Sequence, residues 1–132
     1  MYRILIVDDE ESICFSMSEY FKLQGYHVDV ALKREDAEAL LAQDPYEVVI
    51  EDLRLGGKHD VEGLEIVELI RRQYPSTRIV VLTAYGSSEM EAEARTRGAD
   101  AFLRKPKPLS DIAQVVYGLI ARFQPPSTLA TN

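Results

Sequence analysis

The chain has 132 residues, 46% of them hydrophobic and 28% charged, the size and composition of one globular domain. Fifteen Lys and Arg stand against twenty-two Asp and Glu, a net charge of −7, which disfavours direct nucleic-acid binding. One cysteine, Cys14, excludes an internal disulfide and a cysteine zinc site; no apolar run nears the roughly 20 residues of a membrane span, and no signal peptide is evident, so a cytoplasmic domain is expected.

Short apolar runs alternate with helical patterns along the chain. Tyr2 to Val7 reads as the first strand. Glu11 to Leu23 follows as a helix with Ile13, Met17, Tyr20 and Phe21 on one side, and Gly25 stands where a C-terminal cap belongs. Tyr26 to Ala31 is the second strand, and Lys33 to Gln43 the second helix, stopped by Pro45. Glu47 to Asp52 is the third strand, whose Val48-Val49-Ile50 core reads as buried on both faces. Leu53 to Val61 is a loop punctuated by Gly56-Gly57. Glu62 to Tyr74 is the third helix, Arg78 to Thr83 the fourth strand, and Ser87 or Ser88 caps a fourth helix that ends before Gly98. Ala101 to Leu103 is a short fifth strand, and Pro108 to Phe123 the fifth helix. Residues 1–123 form the expected domain, and 124–132 a flexible tail or linker stub.

Strands alternating with helices predict an α/β fold, and five βα units are too few for an eight-fold barrel. An open, doubly wound parallel sheet remains, with its ligand site beyond the carboxyl ends of the strands. Those ends carry Asp8-Asp9, Glu51-Asp52, Thr83-Ala84 and Lys105-Pro106. Carboxylates converging at one sheet edge repel unless a cation binds, and oxygen-only ligands favour Mg²⁺. An Asp carboxylate can act as a nucleophile toward phosphorus, with Thr and Lys holding the phosphoryl oxygens.

With these residues in order, the chain resembles the receiver domains of two-component response regulators, the CheY-like superfamily. The matching stretches are Ile4 to Glu10, Val48 to Leu55, Val81 to Gly86 and Gly98 to Pro106. The resemblance implies a flavodoxin-like (βα)5 fold with strand order 2-1-3-4-5. It implies that Asp52 accepts a phosphoryl group, that Asp9, Asp52 and the Arg54 carbonyl ligate Mg²⁺, and that Asp8 reaches the ion through water. Thr83 matches the switch hydroxyl, Lys105 the phosphoryl-pairing ammonium, and Phe102 the switch aromatic, which turns inward as Thr83 moves. A cis Lys105-Pro106 bond is implied as well. The expected partners are a sensor histidine kinase or histidine phosphotransfer protein, an output domain or protein, and a second copy in a phosphorylation-dependent dimer. The output face is the fourth helix, fifth strand and fifth helix.

The chain departs from the family pattern in its loop. Gly56 stands where Pro is common, Lys58-His59-Asp60 makes the segment longer, and Glu62 replaces the usual Asp before Gly63. Lys107 replaces a common Phe. Period-two alternation places Glu51 opposite Asp52, as a peripheral carboxylate. His59 reads as a solvated loop residue, His27 as structural and Cys14 as a packed thiol. Phe15, about 200° around the first helix from Ile13, is expected to be exposed, where it could dock a partner. Two other classes share parts of the pattern. A haloacid-dehalogenase-type phosphatase wants a second Asp where Arg54 stands. A flavodoxin-like electron carrier wants a phosphate loop where the acidic run Asp8 to Glu11 stands.

Overall fold

The computed structural model describes residues 1–55 and 60–123. The elements run β1 (Arg3–Val7), α1 (Glu11–Leu23), β2 (His27–Ala31), α2 (Arg34–Gln43), β3 (Val48–Glu51), α3 (Asp60–Gln73), β4 (Arg78–Thr83), α4 (Ser88–Arg97), β5 (Ala101–Arg104) and α5 (Leu109–Phe123). The strands pair in parallel in the order β2-β1-β3-β4-β5, as the sequence predicts. Helix α3 begins two residues ahead of the expected Glu62. Gly56, Gly57, Lys58, His59 and the 124–132 tail lie outside the described residues.

Each face of the sheet is closed by helices, because alternate strand residues on both sides are apolar. Leu5, Val7, Val49 and Val81 meet Ala37 and Leu41 of α2, the α3 stripe Leu64, Ile66, Val67 and Ile70, and Ala94 of α4. Ile4, Ile6, Ile50 and Leu82 meet Met17 and Phe21 of α1 and Ile112 and Val116 of α5. Large buried side chains of this kind contribute about 1.5–3 kcal/mol each.

Helix α4 is the weakest link of the first face. Ala94 is its buried residue, with Met90 partly covered. Its ends are held by polar contacts instead. Ser87 Oγ accepts from the Met90 N–H at 3.0 Å, capping the N-terminus. At the other end Gly98 adopts φ 127°, a left-handed conformation that a side chain resists. Arg71 of α3 clamps that turn, donating to the Gly98 carbonyl at 2.8 Å and pairing with Asp100 at 2.8 Å.

Helix α3 lies against the chain leaving β3. A Cβ on Gly63 would fall 2.3 Å from the Leu53 carbonyl oxygen, so backbone itself would have to shift. Gly63→Ala is therefore expected to destabilise the domain by about 3 kcal/mol, the upper part of the range for overpacking. A urea titration measures this, and an unchanged midpoint would refute the tight approach.

Candidate functional site

Backbone hydrogen bonds carry the parallel ladder one residue past the ends of the strands. Asp8 N–H donates to the Ala31 carbonyl at 3.1 Å, Asp52 N–H to Val7 at 3.0 Å and Lys105 N–H to Thr83 at 2.9 Å. These bonds hold the residues that follow β1, β3 and β5 level at one sheet edge. The Lys105-Pro106 bond is cis, as expected.

Lys105 joins the two inner carboxylates. Its Nζ lies 2.8 Å from Asp8 Oδ2 and 2.9 Å from Asp52 Oδ2, although 97 and 53 residues separate the partners in sequence. Asp8 and Asp52 are buried, whereas Asp9 is exposed at the rim. The second oxygens are also occupied: Asp8 Oδ1 accepts from the Glu10 N–H at 2.9 Å and Asp52 Oδ1 from the Arg54 N–H at 3.1 Å. Glu10 reaches Lys105 only at 3.7 Å from an exposed position, where solvent screens it.

Burial pushes the Asp8 carboxyl above its ordinary range, outweighing the hydrogen bonds from Lys105 and Glu10. Burial also works against the Lys105 ammonium, but its hydrogen bonds to Asp8 and Asp52 raise it on balance. At formal charges two buried carboxylates face one ammonium here. The donors toward a cation are oxygens. Among the described residues, no three His, Cys, Asp or Glu side chains form a closed ligand cage. Oxygen donors of this kind suit a hard divalent cation that keeps some of its own waters.

Thr83 is fully buried, and its Oγ1 accepts from the Tyr85 N–H at 3.2 Å. Phe102 is only 8% exposed, its ring turned inward. Gly86 makes the room, since a Cβ there would stand 2.7 Å from the Phe102 ring.

Glu51 corrects an expectation. It does face away from Asp52, but it is not peripheral: it is fully buried and neither carboxyl oxygen has a hydrogen-bond partner. In a central parallel strand the opposite face is core as well. Burial, and then the charge of Asp52, hold this carboxyl well above the usual range.

A second feature lay beyond sequence reasoning. The Arg54 guanidinium lies over the Tyr85 ring, 3.9 Å from its centroid. It thereby joins the chain after β3 to the chain after β4 beside Asp52. Nothing in the spacing of residues 54 and 85 signals this stacking.

The remaining expectations sort by burial. Cys14 is buried, its thiol donates to the Asp8 carbonyl at 3.2 Å, and burial pushes it up to about 11, so it is an inert packing group. His27 lies at the opposite end of the sheet, 3.4 Å from Asp29. Phe15 is 68% exposed and lines a groove with Val30 and Leu32 on the β2 side of α1. A separate groove of about 550 Å³ runs between α1 and α5 up to Lys105 and Lys107.

The chain is similar to known proteins. The family model for the response regulator receiver domain matches residues 4–117. A putative NtrX-like response regulator of Rickettsia felis is 34% identical over 103 residues, 78% of this chain and 22% of that protein. The chain thus spans under a quarter of that relative's length. A CheY-like receiver domain protein from Methanospirillum hungatei superposes with a TM-score of 0.88 at 25% identity, covering 94% of this chain and 97% of its own. A response regulator protein from Burkholderia pseudomallei, crystallised with a phosphorylated aspartic acid, calcium ion and citrate, gives 0.79 at 28% identity, covering 95% of this chain and 76% of its own. These matches favour neither the phosphatase nor the electron carrier. With the family model extending across both cores and all the strand ends that build the Lys105 cluster, the chain belongs to the response regulator receiver domain family.

Proposed function

We propose that Asp52 takes a phosphoryl group from a phosphohistidine of a sensor kinase or phosphotransfer protein. The observation that carries this reading is Lys105 bridging Asp8 and Asp52 at 2.8 and 2.9 Å across the sheet edge. A carboxylate oxygen of Asp52 attacks phosphorus, the phosphorus–nitrogen bond of the donor breaks, and an acyl phosphate forms. Lys105 moves from pairing two carboxylates to pairing the phosphoryl oxygens, and the Thr83 hydroxyl becomes a second donor to them. Asp9, Asp52 and the Arg54 carbonyl would hold Mg²⁺, with Asp8 in the same acidic pocket; when bound, the ion would supply charge neutralisation for the attacking and transferred oxygens. The α1–α5 groove leading to Lys105 is where a donor protein would approach. The α4, β5 and α5 surface, with Phe102 beneath it, would pass the change to an output domain or a second copy. Residues 1–123 act as the signalling unit.

Incubation with acetyl phosphate should add one phosphoryl group, and a chelator should prevent it. A chain left unlabelled with Mg²⁺ present would overturn the proposal.

The ligand assignment has its own test. Asp9→Ala is expected to weaken Mg²⁺ by about tenfold or more, since losing even a group behind a ligand costs that much. Glu51→Ala should weaken it far less, because that carboxyl points into the opposite core. A titration in which Glu51→Ala has the greater effect would reverse the choice of ligands.

A further inference from the structure

Among the described residues, Glu51 is a fully buried residue whose carboxyl oxygens have no hydrogen-bond partner. In register it stands between Val7 of β1 and Val81 of β4, and Val81 stands beside Phe102 of β5. Residues paired in a parallel sheet point to one face, so these side chains form a row. Val7, Val81 and Phe102 all belong to the core under α2, α3 and α4. The Glu51 side chain is therefore packed into this core, fully buried and with both carboxyl oxygens unpartnered.

An unpaired polar head in such a place weighs against the packed state by roughly tenfold to a hundredfold. Movement of the helices that cover it would wet it. In hydrocarbon contact α3 is held by Leu64, Ile66, Val67 and Ile70, whereas α4 has only Ala94 and part of Met90 and depends otherwise on the polar contacts at its ends. The cheaper route to water is thus through α4 and the Phe102 ring beside it.

We propose that Glu51 is a built-in destabiliser of the α4–β5 cover. Its unpartnered carboxyl raises the population of conformations in which α4 and Phe102 have moved off the row. Anything that binds the opened face then has a smaller free-energy gap to overcome than it would over an all-hydrocarbon row. The device acts whether or not Asp52 carries a phosphoryl group, so it stands apart from the transfer chemistry.

Native-state hydrogen exchange on the full chain tests this, with two variants compared. Glu51→Met keeps the length of the side chain and removes the polar head. Glu51→Gln keeps an unpaired polar head and removes the charge. The α4 amides should exchange roughly tenfold more slowly in Glu51→Met and within about twofold of the parent in Glu51→Gln. If β1 and β3 amides slow in Glu51→Met while α4 is unchanged, the cost is released only on global unfolding and the proposal fails. Equal slowing in both variants would make repulsion from Asp52 the cause, which also overturns it. Should Glu51→Met not fold, Glu51→Leu repeats the comparison; failure of both to fold would mean that the carboxyl supports the core.

Discussion

Asp52→Asn is expected to abolish phosphorylation by acetyl phosphate while leaving the domain folded. The replacement is isosteric. Its side-chain oxygen can still accept from the Arg54 N–H, now at 3.1 Å, and Lys105 keeps Asp8 as a partner at 2.8 Å. One of two neighbouring buried carboxylates is lost, which relieves repulsion. What disappears is the nucleophile, since an amide oxygen does not attack phosphorus to give a stable acyl phosphate. Intact-mass measurement should show one phosphoryl group on the parent and none on the variant, and beryllofluoride should bind only the parent. Full labelling of the variant at another residue would remove Asp52 from the mechanism.

The acyl phosphate should be long-lived, and Arg54→Asn combined with Tyr85→Glu should shorten its lifetime by about tenfold or more. Hydrolysis needs a water aligned behind phosphorus, opposite the Asp52 oxygen that leaves. In receiver domains the residues two after the acceptor and two after the switch hydroxyl border that path; here they are Arg54 and Tyr85. The two are stacked, guanidinium over ring at 3.9 Å, so they are expected to cover the approach as a unit. Such a pair is worth about 0.5–1 kcal/mol at an exposed site, enough to keep the cover closed most of the time. Neither group can orient water as a carboxylate or an amide does. The double variant removes the stack and supplies both. Phosphate release after removal of the donor measures the rate. A rate unchanged from the parent would show that these side chains do not gate water, and the Gly56-to-Gly63 segment would be the next suspect.

Most of the fold was legible in local chemistry. Val48-Val49-Ile50 could only be a strand buried on both sides, Gly25 and Gly98 stand where left-handed caps are needed, and Ser87 caps α4 as its position suggests. The candidate site was legible for the same reason. In an open parallel sheet the strand ends converge whatever the helices do, so Asp8, Asp52, Thr83 and Lys105 could be grouped from their places at strand ends alone. What the tertiary structure decided concerns contacts between segments whose spacing carries no signal. Alternation along β3 turns Glu51 away from Asp52, but only the helices packed on the far face determine that it meets hydrocarbon rather than water. Phe102 reads as a mobile switch in sequence, yet its inward position depends on the missing Cβ of Gly86, sixteen residues earlier and on another connection. The Arg54–Tyr85 stack joins two loops whose separation is set by β3 and β4 lying side by side. Periodicity reports which face a residue occupies; what covers that face is a property of the assembled core.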